Sequence, residues 1–163
     1  MGSKLVYLSL GSNLGDREAC LDRALHALES RGIRITARSS LYETEPQDVA
    51  DQPWFLNLVV ACEAPYFPMQ LLSIVQAIER ELGRVRGPGA MRRSPRPIDI
   101  DILLFANAVI DTPQLTIPHP RMLERRFVLE PLLELAPNLK LPASSKPLKS
   151  YLQAVLSQRI RRI

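Results

Sequence analysis

The chain has 163 residues, 46% of them hydrophobic and 23% charged, which suits one packed domain over 1–163 and argues against disorder. Its formal net charge of +4 favours anionic partners. The excess sits in one loop and in the tail Arg159, Arg161 and Arg162, so a small anion fits better than a nucleic-acid track and no membrane partner is expected.

Lys4 to Leu10 alternates apolar and polar residues and reads as a first strand, ending at the turn Gly11-Ser12-Asn13-Leu14-Gly15. Asp16 opens a helix with Leu21, Ala24, Leu25 and Leu28 at helical spacing, and Gly32 closes it. Ile33 to Tyr42 reads as a second strand and Phe55 to Cys62 as a third, with the polar loop Gln47 to Pro53 before it. Pro68 starts a second helix whose stripe is Leu71, Val75, Ile78 and Leu82, ended by Gly83. Ile98 to Phe105 is the fourth strand.

This βαββαβ order predicts an α+β, ferredoxin-like core at about 4–137, with an antiparallel sheet and both helices on one face. Val109 to Thr116 is expected as a small hairpin. Pro131 to Ala136 and Lys146 to Leu156 are expected as helices, making 138–163 a C-terminal helical extension, with prolines delimiting its elements. Cys20 and Cys62 lack metal-ligand spacing and predict buried free thiols in a reducing compartment. No leader pattern and no bilayer-length apolar run is read, so a cytoplasmic protein is expected.

The most informative segment lies between the second helix and the fourth strand. Arg84, Arg86, Arg92, Arg93 and Arg96 stand in a Gly/Pro-broken loop that leads into Ile98-Asp99-Ile100-Asp101-Ile102. Strand geometry puts Asp99 and Asp101 on one face, roughly 7 Å apart along the backbone. Paired carboxylates can hold a divalent cation, and neighbouring guanidinium groups can neutralise phosphate, so the segment describes a polyphosphate site using Mg²⁺.

Five pieces in order, Gly11-Ser12-Asn13-Leu14-Gly15, Asp51-Gln52-Pro53-Trp54-Phe55-Leu56-Asn57, Gly83-Arg84-Val85-Arg86, Pro95-Arg96-Pro97-Ile98-Asp99-Ile100-Asp101-Ile102 and Pro118-His119-Pro120-Arg121-Met122 with Arg125 and Phe127, resemble the 6-hydroxymethyl-7,8-dihydropterin pyrophosphokinases of folate biosynthesis. The resemblance covers about Tyr7 to Pro137. It implies transfer of pyrophosphate from ATP to the pterin's hydroxymethyl group, with AMP released, by a monomer whose partners are these two small molecules. By the same resemblance Asp99 and Asp101 hold two Mg²⁺ ions and act in catalysis with Arg84 and Arg96. Gly11, Thr44, Phe55, Asn57 and Phe127 would line the pterin pocket. Gln76, Arg84, Arg86, Arg96, Ile102, Thr116, His119 and Arg125 would take ATP. The chain departs from the family pattern at Arg93-Ser94, Pro97, Leu123 and Gln114.

Other readings of the same residues stand beside this one. The aspartates could be solvent-facing on a half-exposed strand, the arginines an ordinary solvated loop, and Phe55 and Phe127 core residues. His119 between prolines could serve the loop alone. An RNA-binding sheet or a ligand-binding regulatory module would share the fold. The first wants more aromatic residues than 6% supplies, and neither accounts for paired aspartates following an arginine loop.

Overall fold

Alternation along the strands makes the two faces of the sheet unlike. The computed structural model describes residues 2–46, 51–83 and 98–163. In chain order these form β1 (Lys4–Ser12), α1 (Arg17–Ser30), β2 (Arg34–Arg38), β3 (Tyr42–Thr44), β4 (Phe55–Ala64), α2 (Pro68–Glu81), β5 (Asp99–Phe105), β6 (Ile110–Asp111), β7 (Thr116–Ile117), α3 (Arg126–Leu135) and β8 (Ile160–Arg162). Short 3₁₀ segments occupy Met122–Glu124 and Leu148–Val155. The main sheet runs β5-β1-β4-β3-β8, with β2 also paired to β4, and every pairing is antiparallel. This is the expected ferredoxin-like core, and β6 with β7 forms the expected hairpin.

Val6, Leu8 and Leu10 of β1 and Leu56, Leu58 and Val60 of β4 face one way. There they meet Leu21, Leu25 and Leu28 of α1 and Leu71, Val75 and Ile78 of α2. A fully buried leucine contributes roughly 1.5–3 kcal/mol, so this layer dominates the stability. Local signals start and stop the helices where the sequence places them. Asp16 Oδ1 accepts from Ala19 N at 3.1 Å, and Gly32, at φ +80°, turns the chain out of α1. At the start of α2, Gln70 Oε1 accepts from Phe67 N at 2.8 Å, with Pro68 in the first turn.

The opposite face is only partly covered. α3 and the 3₁₀ segment at Leu148 pack on Val59, Leu103 and Leu104 through Val128 and Leu132. Leu103 and Leu104 share a face because the β1–β5 register shifts between Tyr7 and Leu8; such a bulge turns two successive residues the same way.

Four expectations need correction. The second strand is two strands, β2 and β3, both laid on β4. Ser39 makes the break: its Oγ accepts from Val59 N at 2.9 Å while Ser39 N donates to Val59 O, so a hydroxyl replaces a regular ladder step. Pro131 lies inside α3 instead of delimiting it. Its missing N–H forfeits one helical bond, and the burial of Val128, Leu129 and Leu132 outweighs that loss. The Lys146–Leu156 helix is the 3₁₀ segment. Residues 160–162 are no helix but β8, an added strand on β3. Both cysteines are buried and free, as expected. No helix among the described residues is long and apolar enough to cross a membrane.

Glu134 ties α3 to the sheet edge. It accepts from Tyr42 Oη at 2.8 Å and from Ser40 N at 2.9 Å, with Arg162 of β8 at 3.8 Å. Burial, the largest influence, pushes its carboxyl pKa up, but the bonds from Tyr42 and Ser40 and the Arg162 charge together bring the net value below normal. Burial and then the Glu134 bond push the Tyr42 hydroxyl up to about 12. A carboxyl with a lowered folded pKa stabilises above its unfolded pKa, and that contribution disappears as pH falls through the folded value. Glu134→Gln is accordingly expected to lower the melting midpoint by about 2–4 °C at pH 7, the shift that about 1 kcal/mol produces in a chain this size. The difference from wild type should shrink as melts are taken to pH values progressively below the ordinary carboxylate range, where Glu134 is protonated in both states; a gap that stays constant throughout would assign the effect to packing.

Candidate active site

The register of three strands draws the site together. Gly11 pairs with Asn57 of β4 on one side and with Asp99 of β5 on the other, Ser9 pairs with Asp101, and Thr44 of β3 pairs with Phe55. Period-two alternation turns these residues to the face opposite α1 and α2. All five residues assigned to the pterin, Gly11, Thr44, Phe55, Asn57 and Phe127, line one small cavity there, together with Asp99, Asp101 and Arg125. Ser9 and Glu45 line it too and were not singled out from the sequence. Knowing the β1–β5 register would have found Ser9; no local signal marks Glu45.

Two contacts shape this cavity. Asn57 Nδ2 donates to Thr44 Oγ1 at 2.6 Å, and both side chains are buried, so the amide is locked. Gly11 opposite has no side chain, and a Cβ there would collide with Asn57 Oδ1 and stand 3.5 Å from the Phe55 ring. Glycine is needed here for space, since its backbone does not adopt a positive φ.

A second, more open cleft of about 280 Å³ lies on the outer side of β5. Gln76, Ile102, Thr116 and His119 line it, as expected for the nucleotide, and so does Gln114. Asp99 and Asp101 line both hollows and form part of their common wall. Arg125 lines the small cavity and not the cleft, with Nη1 3.8 Å from Asp101 Oδ2 and its guanidinium 5.4 Å from the Phe127 ring centre. Arg84, Arg86 and Arg96, with Arg92 and Arg93, fall outside the described residues.

His119 is held in its neutral form. Its Nδ1 accepts from Arg121 N at 3.1 Å, which leaves Nε2 to carry the proton, 3.9 Å from Asp101 Oδ1. Burial first, then the Arg125 charge, lowers its pKa to about 4, with Asp99 opposing and Arg121 adding to the drop. At neutral pH the approach to Asp101 is therefore no ion pair.

The donor set suits magnesium. Asp99 and Asp101 are half-buried carboxylates, and no group of three or more metal-binding side chains occurs among the described residues. Mg²⁺ seldom takes an all-protein cage; it binds through one or two carboxylates, water and substrate phosphate.

A larger groove of about 970 Å³ lies elsewhere, bordered by Arg17, Trp54, Arg126 and Arg159, and none of the assigned residues lines it. Its cations are engaged within the protein. Arg17 bonds Glu43 at 2.8 Å, Arg126 bonds Glu130 at 3.1 Å and the Leu156 and Gln158 carbonyls, and Arg159 stacks 5.1 Å over Trp54. The small cavity and the cleft are the better candidates.

The α+β sheet thus carries a small hollow and a more open cleft on either side of one carboxylate pair. Residues 7–137 match the model of the 7,8-dihydro-6-hydroxymethylpterin-pyrophosphokinase (HPPK) family, and the chain belongs to that family. It is 44% identical over 144 residues to a 2-amino-4-hydroxy-6-hydroxymethyldihydropteridine pyrophosphokinase of Bacillus subtilis, covering 88% of this chain and 84% of the relative. The figures for the enzyme of the same name from Porphyromonas gingivalis are 48% over 134 residues, 82% and 91%. The folic acid synthesis protein fol1 of Schizosaccharomyces pombe is 44% identical over 160 residues, 98% of this chain, but the chain spans only 21% of that protein's length. The structure of wild-type Plasmodium falciparum HPPK-DHPS with pteroate shares the fold, with TM-score 0.74 at 17% identity over 95% of this chain and 43% of that one.

Proposed function

We propose that this protein catalyses the Mg²⁺-dependent transfer of pyrophosphate from ATP to the hydroxymethyl group of 6-hydroxymethyl-7,8-dihydropterin, giving AMP and the pterin diphosphate. The observation that carries this reading is the position of Asp99 and Asp101 on the wall shared by a small cavity and an open cleft. A ring in the one and a nucleotide in the other would meet at those carboxylates.

The pterin ring lies in the small cavity between Phe55 and Phe127, where aromatic stacking rewards a flat heterocycle. The locked pair Thr44 and Asn57 presents a fixed amide and hydroxyl to its polar edge. The nucleotide takes the cleft along Gln76, Ile102, Thr116 and His119. Holding both substrates replaces a bimolecular encounter with an oriented one, which is most of what such a transfer needs. Asp99 and Asp101 would hold Mg²⁺, two ions by the family pattern, which when bound neutralises phosphate charge and aligns attacking and leaving oxygens. Arg125 adds positive charge beside Asp101, where the transferred group would sit. Neutral His119 contributes a hydrogen-bond donor without further charge. Arg84 and Arg96 are proposed to engage the transferred group, with Arg86 as a supporting charge. A monomer acting in the cytoplasm as a single pyrophosphokinase domain completes the proposal.

Incubation with ATP, Mg²⁺ and the hydroxymethyl dihydropterin, followed by nucleotide chromatography, tests the reading. AMP should appear in step with the pterin diphosphate. ADP as the product, or no pterin-dependent nucleotide turnover, would refute it.

A further inference from the structure

We infer that Glu79 is a positioning residue that holds the Asp99–Asp101 strand in register from the adjacent helix. Glu79 is 1% exposed, on the same helix face as the buried Val75 and Ile78. An apolar side chain would pack at that position with less desolvation, because a buried carboxylate is tolerated only when its hydrogen bonds compensate. One of those bonds is specific: Glu79 Oε2 accepts from Ile100 N at 2.9 Å, in a buried contact.

Ile100 stands between the two aspartates. β5 is the last strand of the sheet, paired to β1 on one side and to no strand on the other among the described residues. An outward-facing amide of an edge strand lacks a ladder partner, and such a strand can twist or fray. The Ile100 amide is turned away from β1 and meets a carboxylate brought by α2. The bond keeps Ile100 extended, and an extended residue at that point is what leaves Asp99 and Asp101 on one face at strand spacing. Glu79 also lines the open cleft. It acts through the β5 backbone.

The inference rests on the proposed role of the two aspartates, and the experiment separates the two claims. Glu79→Met keeps the bulk and the apolar packing but removes the acceptor; Glu79→Gln keeps an acceptor and replaces the carboxyl with an amide. Amide hydrogen exchange at Ile100 reads the bond without any substrate. It should accelerate at least about tenfold in the Met variant and stay slow in the Gln variant. Mn²⁺ binding in the presence of a nonhydrolysable ATP analogue, followed by electron paramagnetic resonance, should weaken about 10- to 100-fold in the Met variant. The Gln variant should recover most of that loss, with pterin affinity by calorimetry unchanged in both. A folded Met variant with wild-type Ile100 exchange and wild-type Mn²⁺ binding would overturn the inference. So would a Met variant that cannot fold, since Glu79 would then be a core residue. If the exchange result holds but the wild-type protein releases no AMP, the functional reading fails and the structural bond survives.

Discussion

Asp101→Ala is expected to reduce AMP formation on the order of 10³-fold, and Asp99→Ala to do the same, while each variant keeps its fold. The loss follows from what the carboxylates face. Both stand on the wall between the two hollows, and removing either takes away half of the only oxygen pair proposed there for Mg²⁺. Removing one preorganised electrostatic group commonly costs 10²–10³ in rate, and the loss of a cation adds to it. Stability should change little, because the Asp101 side chain is 29% exposed and its place on the edge strand carries no core packing. Pterin affinity should survive, since the stacking and amide contacts lie on other residues. Single-turnover AMP release, with melting curves and calorimetry in parallel, checks all three. Turnover within tenfold of wild type in either variant would remove that residue from the metal site.

The second large effect is expected at a residue with no side chain. Gly11→Ala places a methyl group against Asn57 Oδ1, and Asn57 cannot yield freely because its amide is bonded to Thr44 inside the protein. Either the amide rotates and leaves buried polar groups unsatisfied, or the strands separate. A buried unsatisfied group costs about 1–3 kcal/mol, so pterin affinity should fall about 10- to 100-fold. ATP-analogue affinity should stay near wild type, because Gly11 borders only the small cavity. Gly15→Ala in the same turn is the control. A Cβ there meets open space, yet the residue sits at φ +68°, so the penalty should be about 1 kcal/mol of stability with pterin binding intact. Equal losses of affinity in both variants would mean that the turn as a whole, and not the Gly11–Asn57 contact, shapes the pocket.

Much of the architecture was legible because its signals are local. Alternation in β1 and β5, the Asp16 cap, Pro68 at the start of α2, and glycines at helix ends each act within a few residues of where they stand. The elements read least well are those whose conformation was settled by distant partners. Ser39 interrupts what looks like one strand because its hydroxyl finds Val59 on β4. Residues 160–162 join β3 because an edge there lacked a neighbour, and Glu45 and Arg159 exchange bonds that seat the strand. Pro131 is carried inside α3 by burial that no helix propensity anticipates.

The site divides along the same line. The order of residues alone determined that Asp99 and Asp101 share a face, that Phe55 and Asn57 do, and that glycine, asparagine and aspartate stand at the ends of strands, since side-chain direction along a strand follows from its two-residue period. Tertiary structure decided that three strands would align Asp99, Gly11 and Asn57 in one row, that a gap in the α3 layer would become a hollow, and that a helix would bring Glu79 to the amide between the aspartates. Those outcomes depend on register and on packing between segments far apart in the chain, and neither quantity is written in the spacing of neighbouring residues.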